Sequence, residues 1–172
     1  FEISAVGEAG PPGLIEVLVE TPSSDSQTTE VGTPVAVPPA VVVRDSNEFI
    51  APNVEVTFTV GASSGTIKAT AGGSAVTTAA IMTDANGVAR LHSWTLGNRG
   101  ANTLEAHVTS DPSLTLTMNA TGIAGPPANI AVFTEVPTSD NQTTVANTPV
   151  PVAPAVLVTD ASELAVEAGD EI

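Results

Sequence analysis

The chain has 172 residues, with 19 acidic side chains against 4 basic ones and a formal charge of −15. Four scattered cations (Arg44, Lys68, Arg90 and Arg99) form no basic patch, which excludes nucleic acid and anionic membrane surfaces as partners. There is no cysteine, hence no disulfide framework and no thiolate metal site, and no apolar run approaches the ~18 residues of a membrane-spanning helix.

The hydrophobic fraction, 42%, can bury a core, but it is mostly Ala and Val, and aromatic residues make up only 3%. Abundant Val and Thr point to strands, and 14 Gly with 14 Pro point to frequent turns. The start at Phe1 reads as a mature product or an internal window of a longer polypeptide.

In chain order the first signal is "AVGEAGPP" at Ala5, which returns as "ATGIAGPP" at Ala120. A shift of 115 residues overlays the following segment on itself without a gap: 21 of the 38 positions from Pro11 to Glu48 match those from Pro126 to Glu163. A period this long suits an array of small domains rather than a solenoid. The reading is therefore residues 1–10 as the last strand and linker of a preceding unit, 11–125 as one whole unit, and 126–172 as the first strands of a following unit. Phe1–Gly7, which overlays Leu116–Gly122, is the expected last strand.

Within the whole unit the apolar period is two. Ile15, Val17 and Val19 alternate with Glu16 and Glu20, and Val41 and Val43 follow the Pro38-Pro39 corner. Val54, Val56, Phe58 and Val60 alternate with Glu55, Thr57 and Thr59. Ile67 and Ala69 form a short strand, and Ala75–Thr83 a longer one. "DANG" (Asp84–Gly87) turns into Val88–Leu96. Leu104, Ala106 and Val108 alternate with Glu105 and His107, and Leu114, Leu116 and Met118 close the series. Seven to eight short strands with no helical segment predict an all-β, antiparallel β-sandwich. Ala89 and Leu91 share one parity while Trp94 and Leu96 share the other, which predicts a bulge near His92-Ser93. Val41, Val43, Val54, Val56, Phe58, Trp94, Leu96, Leu104, Ala106, Val108 and Leu116 are expected inside. Glu16, Glu55, Glu105 and His107 are expected outside.

"MTDANGVARLHSWTLGNRGANTLEAHV" (Met82–Val108) resembles the bacterial immunoglobulin-like domain of the invasin and intimin type. That pattern runs Thr-Asp-x-x-Gly-x-Ala, an aromatic strand, Leu-Gly, then Gly-x-Asn-Thr-Leu-x-Ala. "AVVVRDSNEFIAPNVEVTFTV" resembles the same family's Val-x-Asp, exposed turn and Val-x-Val-x-Phe-x-Val, with Phe49-Ile50 where the family often has Gly-Asn. The resemblance covers roughly residues 33–120. It implies tandem arrays in secreted or surface-anchored bacterial proteins, as stalks and adhesins, and brings no catalytic residues.

Candidate sites are few. Asp84 and Asn86 could belong to a Ca²⁺ loop, but no second Asp and no closing Glu follow, which favours a hairpin turn. Asp25, in Ser24-Asp25 with Gln27-Thr28-Thr29, recurs as Asp140 in Ser139-Asp140 with Gln142-Thr143-Thr144. The recurrence fits a shared loop conformation first, then a contact between units, then a Ca²⁺ site. His92 and His107 have no nucleophile elbow beside them, so catalysis and cofactors are not expected. Trp94 reads as core rather than as a sugar-stacking platform. Gly10-Pro11-Pro12 and Gly125-Pro126-Pro127 form the junctions, where paired prolines make a semi-rigid spacer. The expected partners are neighbouring units of the same polypeptide or filament, outside the cell or at its surface. The alternative is an adhesin module whose loops, such as Asp45–Asn53, grip a carbohydrate or a protein.

Overall fold

The computed structural model describes residues 9–134 and 136–166. It is all-β, with no helix among the described residues, and it divides into two compact units, Phe1–Ile123 and Ala124–Ile172. The strand expected over Phe1–Gly7 lies outside the described residues.

The first unit holds β1 (Pro12–Val17), β2 (Gln27–Glu30), β3 (Ala40–Asp45), β4 (Glu55–Val60) and β5 (Thr66–Lys68). It continues with β6 (Thr78–Met82), β7 (Val88–Arg90), β8 (Ser93–Thr95), β9 (Gly100–Val108) and β10 (Asp111–Ile123). A three-stranded sheet runs β1-β3-β7, a five-stranded sheet runs β2-β10-β9-β4-β6, and β5 pairs with β8. Both larger sheets send their inward residues into one cluster, with Val41 and Val43 from one and Val56, Phe58, Leu104, Ala106 and Val108 from the other. Trp94 and Leu96 complete it. Period-two alternation produces this directly, because successive strand residues face opposite sides of a sheet.

Ten strands appear among the described residues of the first unit where seven to eight are expected, because the Val88–Leu96 segment splits into β7 and β8 and the polar stretch Gln27–Glu30 adds β2. After Val17 the first segment leaves the three-stranded sheet, so Val19 is 98% exposed although it continues the alternation of Ile15 and Val17. The chain re-enters as β2, parallel to β10 with Gln27 opposite Ala120. The Val88–Leu96 segment splits at His92. Leu91 N–H still donates to Pro39 O on the side of β3, whereas His92 N–H donates to Lys68 O at the end of β5. That change of partner lets Ala89, Leu91, Trp94 and Leu96 all be buried, so the conflict of parity is resolved at His92 by a move from one sheet to another and not by the expected bulge.

Glu16, Glu55 and Glu105 are exposed as expected. His107 is half-buried instead of exposed, since it stands in a central strand between Thr57 and Thr115 with Glu105 beside its ring. Val54 and Leu116 are partly buried rather than fully inside; Val54 lies just outside β4, and β1 is the strand that lies across β10.

In the second unit β11 (Asn129–Val132) pairs antiparallel with β12 (Val156–Thr159). Ile130 faces Val158 and Val132 faces Val156, the same register as Ile15 with Val43 and Val17 with Val41.

Candidate functional site

Gly10, the first of the expected junction residues, is held by a carboxylate. Gly10 N–H donates to Asp45 Oδ2 at 2.9 Å, and Asp45 Oδ1 accepts from Asn47 N–H at 2.8 Å and Phe49 N–H at 2.9 Å. The turn closes with Asp45 N–H on Phe49 O and Glu48 N–H on Asp45 O, with Glu48 in the left-handed region at φ +66°. One side chain thus fixes both the end of β3 and the chain entering β1. A short carboxylate suits this position because it satisfies nearby backbone donors that no strand partner reaches.

The second unit repeats the arrangement. Gly125 N–H donates to Asp160 Oδ2 at 2.8 Å, Asp160 Oδ1 accepts from Ser162 and Leu164 N–H, and Glu163 has φ +65°. A second clamp also occurs twice. Gln27 Nε2 donates to Ser24 O and Val37 O while its Oε1 accepts from Val37 N–H. Gln142 does the same with Ser139 O, Val152 O and Val152 N–H. The shared Ser-Asp-x-Gln-Thr-Thr loop is therefore a local backbone device, and glutamine is its working residue. The recurrence was visible in sequence; the role of glutamine was not.

The Ca²⁺ candidates are dispersed, and each of the three carboxylates accepts a backbone N–H. Asp84 Oδ1 accepts from Asn86 and Val88 N–H and closes the turn between β6 and β7. Gly87 there has φ +71° and would drive a Cβ to 2.8 Å from Val43 O, which explains the glycine. Asp25 Oδ1 accepts from Asn119 N–H of β10 at 2.7 Å, and Asp140 bonds Asn141. No group of three potential metal ligands occurs among the described residues. Trp94 is fully buried, with Nε1 donating to Ser64 O.

Acid should act on this junction. The Gly10 N–H, with those of Phe49 and Asn47, holds the Asp45 carboxyl below its usual value of 3.8, and those of Val88 and Asn86 do the same for Asp84. A depressed folded-state value contributes stability above the unfolded pKa and loses it as pH falls through the folded one. The melting temperature of the first unit, followed by Trp94 emission, is expected to be flat near neutrality and to drop as pH falls below about 4. Asp45→Asn should melt lower at pH 7 and show a shallower acid decline.

Two poles follow from the strand directions. Gly10, the Asp45 turn, the Asp84 turn and Thr109 gather at one end, where Ala9, Ile50, Pro52, Val54 and Ala85 border a shallow cleft. Ile123 lies at the other, beside Glu30 and Val31. The first unit is therefore entered at one pole and left at the opposite one, across β10 of 13 residues, about 40 Å of strand.

No helix of the described residues is long and apolar enough to cross a membrane. No family model matches the chain, and no curated protein matches it.

Proposed function

We propose that the chain is a structural repeat module of a long extracellular polypeptide, a spacer in a stalk or filament at the bacterial surface. In this reading residues 11–125 are one immunoglobulin-like sandwich of a tandem series with a period of about 115 residues, as the sequence shift suggests. Residues 1–10 and 126–172 belong to its neighbours, and the module neither catalyses a reaction nor holds a metal.

The observation that carries the reading is the load path through the first unit. Its ends leave from opposite poles, and β2, which follows β1 and is the first strand after the entry to join the sheet of the exit strand, runs parallel to β10. Tension on the two ends slides these strands along each other, so the ladder from Gln27–Ala120 to Glu30–Ile123 bears load together rather than peeling bond by bond. Ser26 N–H to Asn119 O and Val31 N–H to Ile123 O extend it at both ends.

Stretching the full chain by its termini tests this. A single cooperative rupture releasing roughly 350 Å is expected, from about 114 residues at up to ~3.4 Å each less the folded length. Val31→Pro removes the terminal donor and should lower the rupture force. Extension without a force peak would overturn the spacer reading. The exposed Phe49 and Ile50 at the entry pole, 66% and 41% accessible, are where the adhesin alternative would place a ligand.

A further inference from the structure

The second unit is an open half of what the first unit closes. Ile15 and Val41 are 7% and 0% exposed, whereas their counterparts Ile130 and Val156 are 70% and 60% exposed. Val132 stands 48% exposed beside them. In the first unit this face is covered by residues 52–123, through Val56, Phe58, Leu104, Ala106 and Met118 of the five-stranded sheet. The outer edge of β3 is covered as well, with Val41 opposite Ala89 and Val42 opposite Val88 of β7. β12 has β11 on one side and no strand on the other among the described residues.

The open half is nevertheless shaped for a partner. It keeps the β1–β3 register, the Gln142 clamp and the Asp160 turn with no covering sheet among the described residues, so little ordering remains to oppose association. Both segments are net acidic, but the bases lie on one side only and are available for local pairing. Residues 124–166 carry four acids (Glu135, Asp140, Asp160 and Glu163) and no base. Residues 52–123 carry four acids (Glu55, Asp84, Glu105 and Asp111) with Lys68, Arg90 and Arg99, three of the four bases in the chain. In the first unit Arg90 already spans the corresponding halves, donating to Glu20 at 2.7 Å and to Pro38 O.

We infer that residues 124–166 are a preformed acceptor for a β-stranded polypeptide segment of the kind found at residues 52–123. Such a segment adds a strand antiparallel to the edge of β12 at Val156 and Leu157, beyond the part that Ala165 and Val166 already cover, and lays an apolar sheet over Ile130, Val132 and Val156. The inference rests on the spacer reading and names the partner of its second unit. A second copy of the chain is a poorer occupant, because its own residues 52–123 are already closed over β1 and β3.

Two measurements test it. First, the full chain is mixed with a polypeptide of residues 52–123. Amides of β11 and β12 are expected to slow in hydrogen exchange by more than about tenfold, saturating at one polypeptide per chain, and Val156→Asp should abolish the effect. Second, the same 72-residue stretch (123 − 52 + 1) is fused after Val166, which removes any dependence on the free polypeptide's solubility. A second cooperative unfolding transition is expected, with the added tryptophan emitting as a buried one, and Val156→Asp should remove it. Unchanged exchange together with a single transition overturns the inference. So does self-association of the unmixed chain that Val156→Asp abolishes, which would give the face to a second copy. Stretching of the first unit reads neither outcome, so the two proposals fail separately.

Discussion

Phe58→Ala is expected to lower the unfolding free energy of the first unit by about 3–5 kcal/mol. Phe58 is fully buried in the middle of β4, and its neighbours on the two flanking strands are both alanine, Ala79 on β6 and Ala106 on β9. The ring therefore fills space that its neighbours leave empty. Alanine side chains have no rotamer with which to reach into the void, so the cavity should persist and the loss should fall at the upper part of that range. Against a typical domain stability of about 5–15 kcal/mol the effect is a large fraction. Chemical denaturation followed by Trp94, the only tryptophan, measures it in the intact chain. Thr57→Ala, one residue away on the outer face, should shift stability by less than about 0.5 kcal/mol. Equal effects at the two positions would mean that the inward face of β4 is misassigned.

The same contrast explains what was legible in the sequence. β3, β4 and β9 each bury one face and wet the other or lie wholly inside, so their apolar spacing announces them, and Glu55 and Glu105 mark the register. The step at His92 was also readable, because two incompatible parities occurred within one run. β2 was not readable. Its four residues, Gln27–Glu30, are all polar, and it is a strand because Gln27 and the ladder to β10 hold it there. No local pattern encodes a pairing made 93 residues away. Val19 misleads for the opposite reason, since alternation continues in the sequence after the strand has left its sheet. At the two Gly-Pro-Pro segments the sequence marked the place, but the carboxylates of Asp45 and Asp160 that hold the glycines lie 35 residues downstream.

Asn102 is the most consequential residue that pattern reading passed over, although it sits in plain view within "GANTLEA". It is fully buried. Its Oδ1 accepts from Gly97 N–H at 3.2 Å and Asn98 N–H at 3.0 Å, and its Nδ2 donates to Asn98 O at 2.7 Å and Gly100 O at 3.0 Å. All four bonds serve the loop between β8 and β9, which has no strand partner to satisfy its backbone. The loop cannot relax inward, because a Cβ at Gly97 would press on Gly65 N and one at Gly122 on Asn98 O. Removing the amide therefore strands backbone donors and acceptors in place, each at a cost of about 1–3 kcal/mol where water does not reach. Asn102→Leu, close in volume, is expected to lose about 3–5 kcal/mol, since it keeps the packing and deletes every bond. Asn102→Asp separates the two halves of the clamp. It retains the acceptor for Gly97 and Asn98 but turns a carboxylate oxygen toward the carbonyls of Asn98 and Gly100. Burial and those carbonyls raise its pKa, so the folded state favours the protonated acid. Its stability should then rise as pH falls through that raised value toward the ordinary one of the unfolded chain, the reverse of the acid decline set by Asp45. Denaturant midpoints at pH 7 and pH 5 read both effects. A stable Asn102→Leu, or an Asn102→Asp variant that weakens on acidification, would show that the loop holds itself and that Asn102 only fills space.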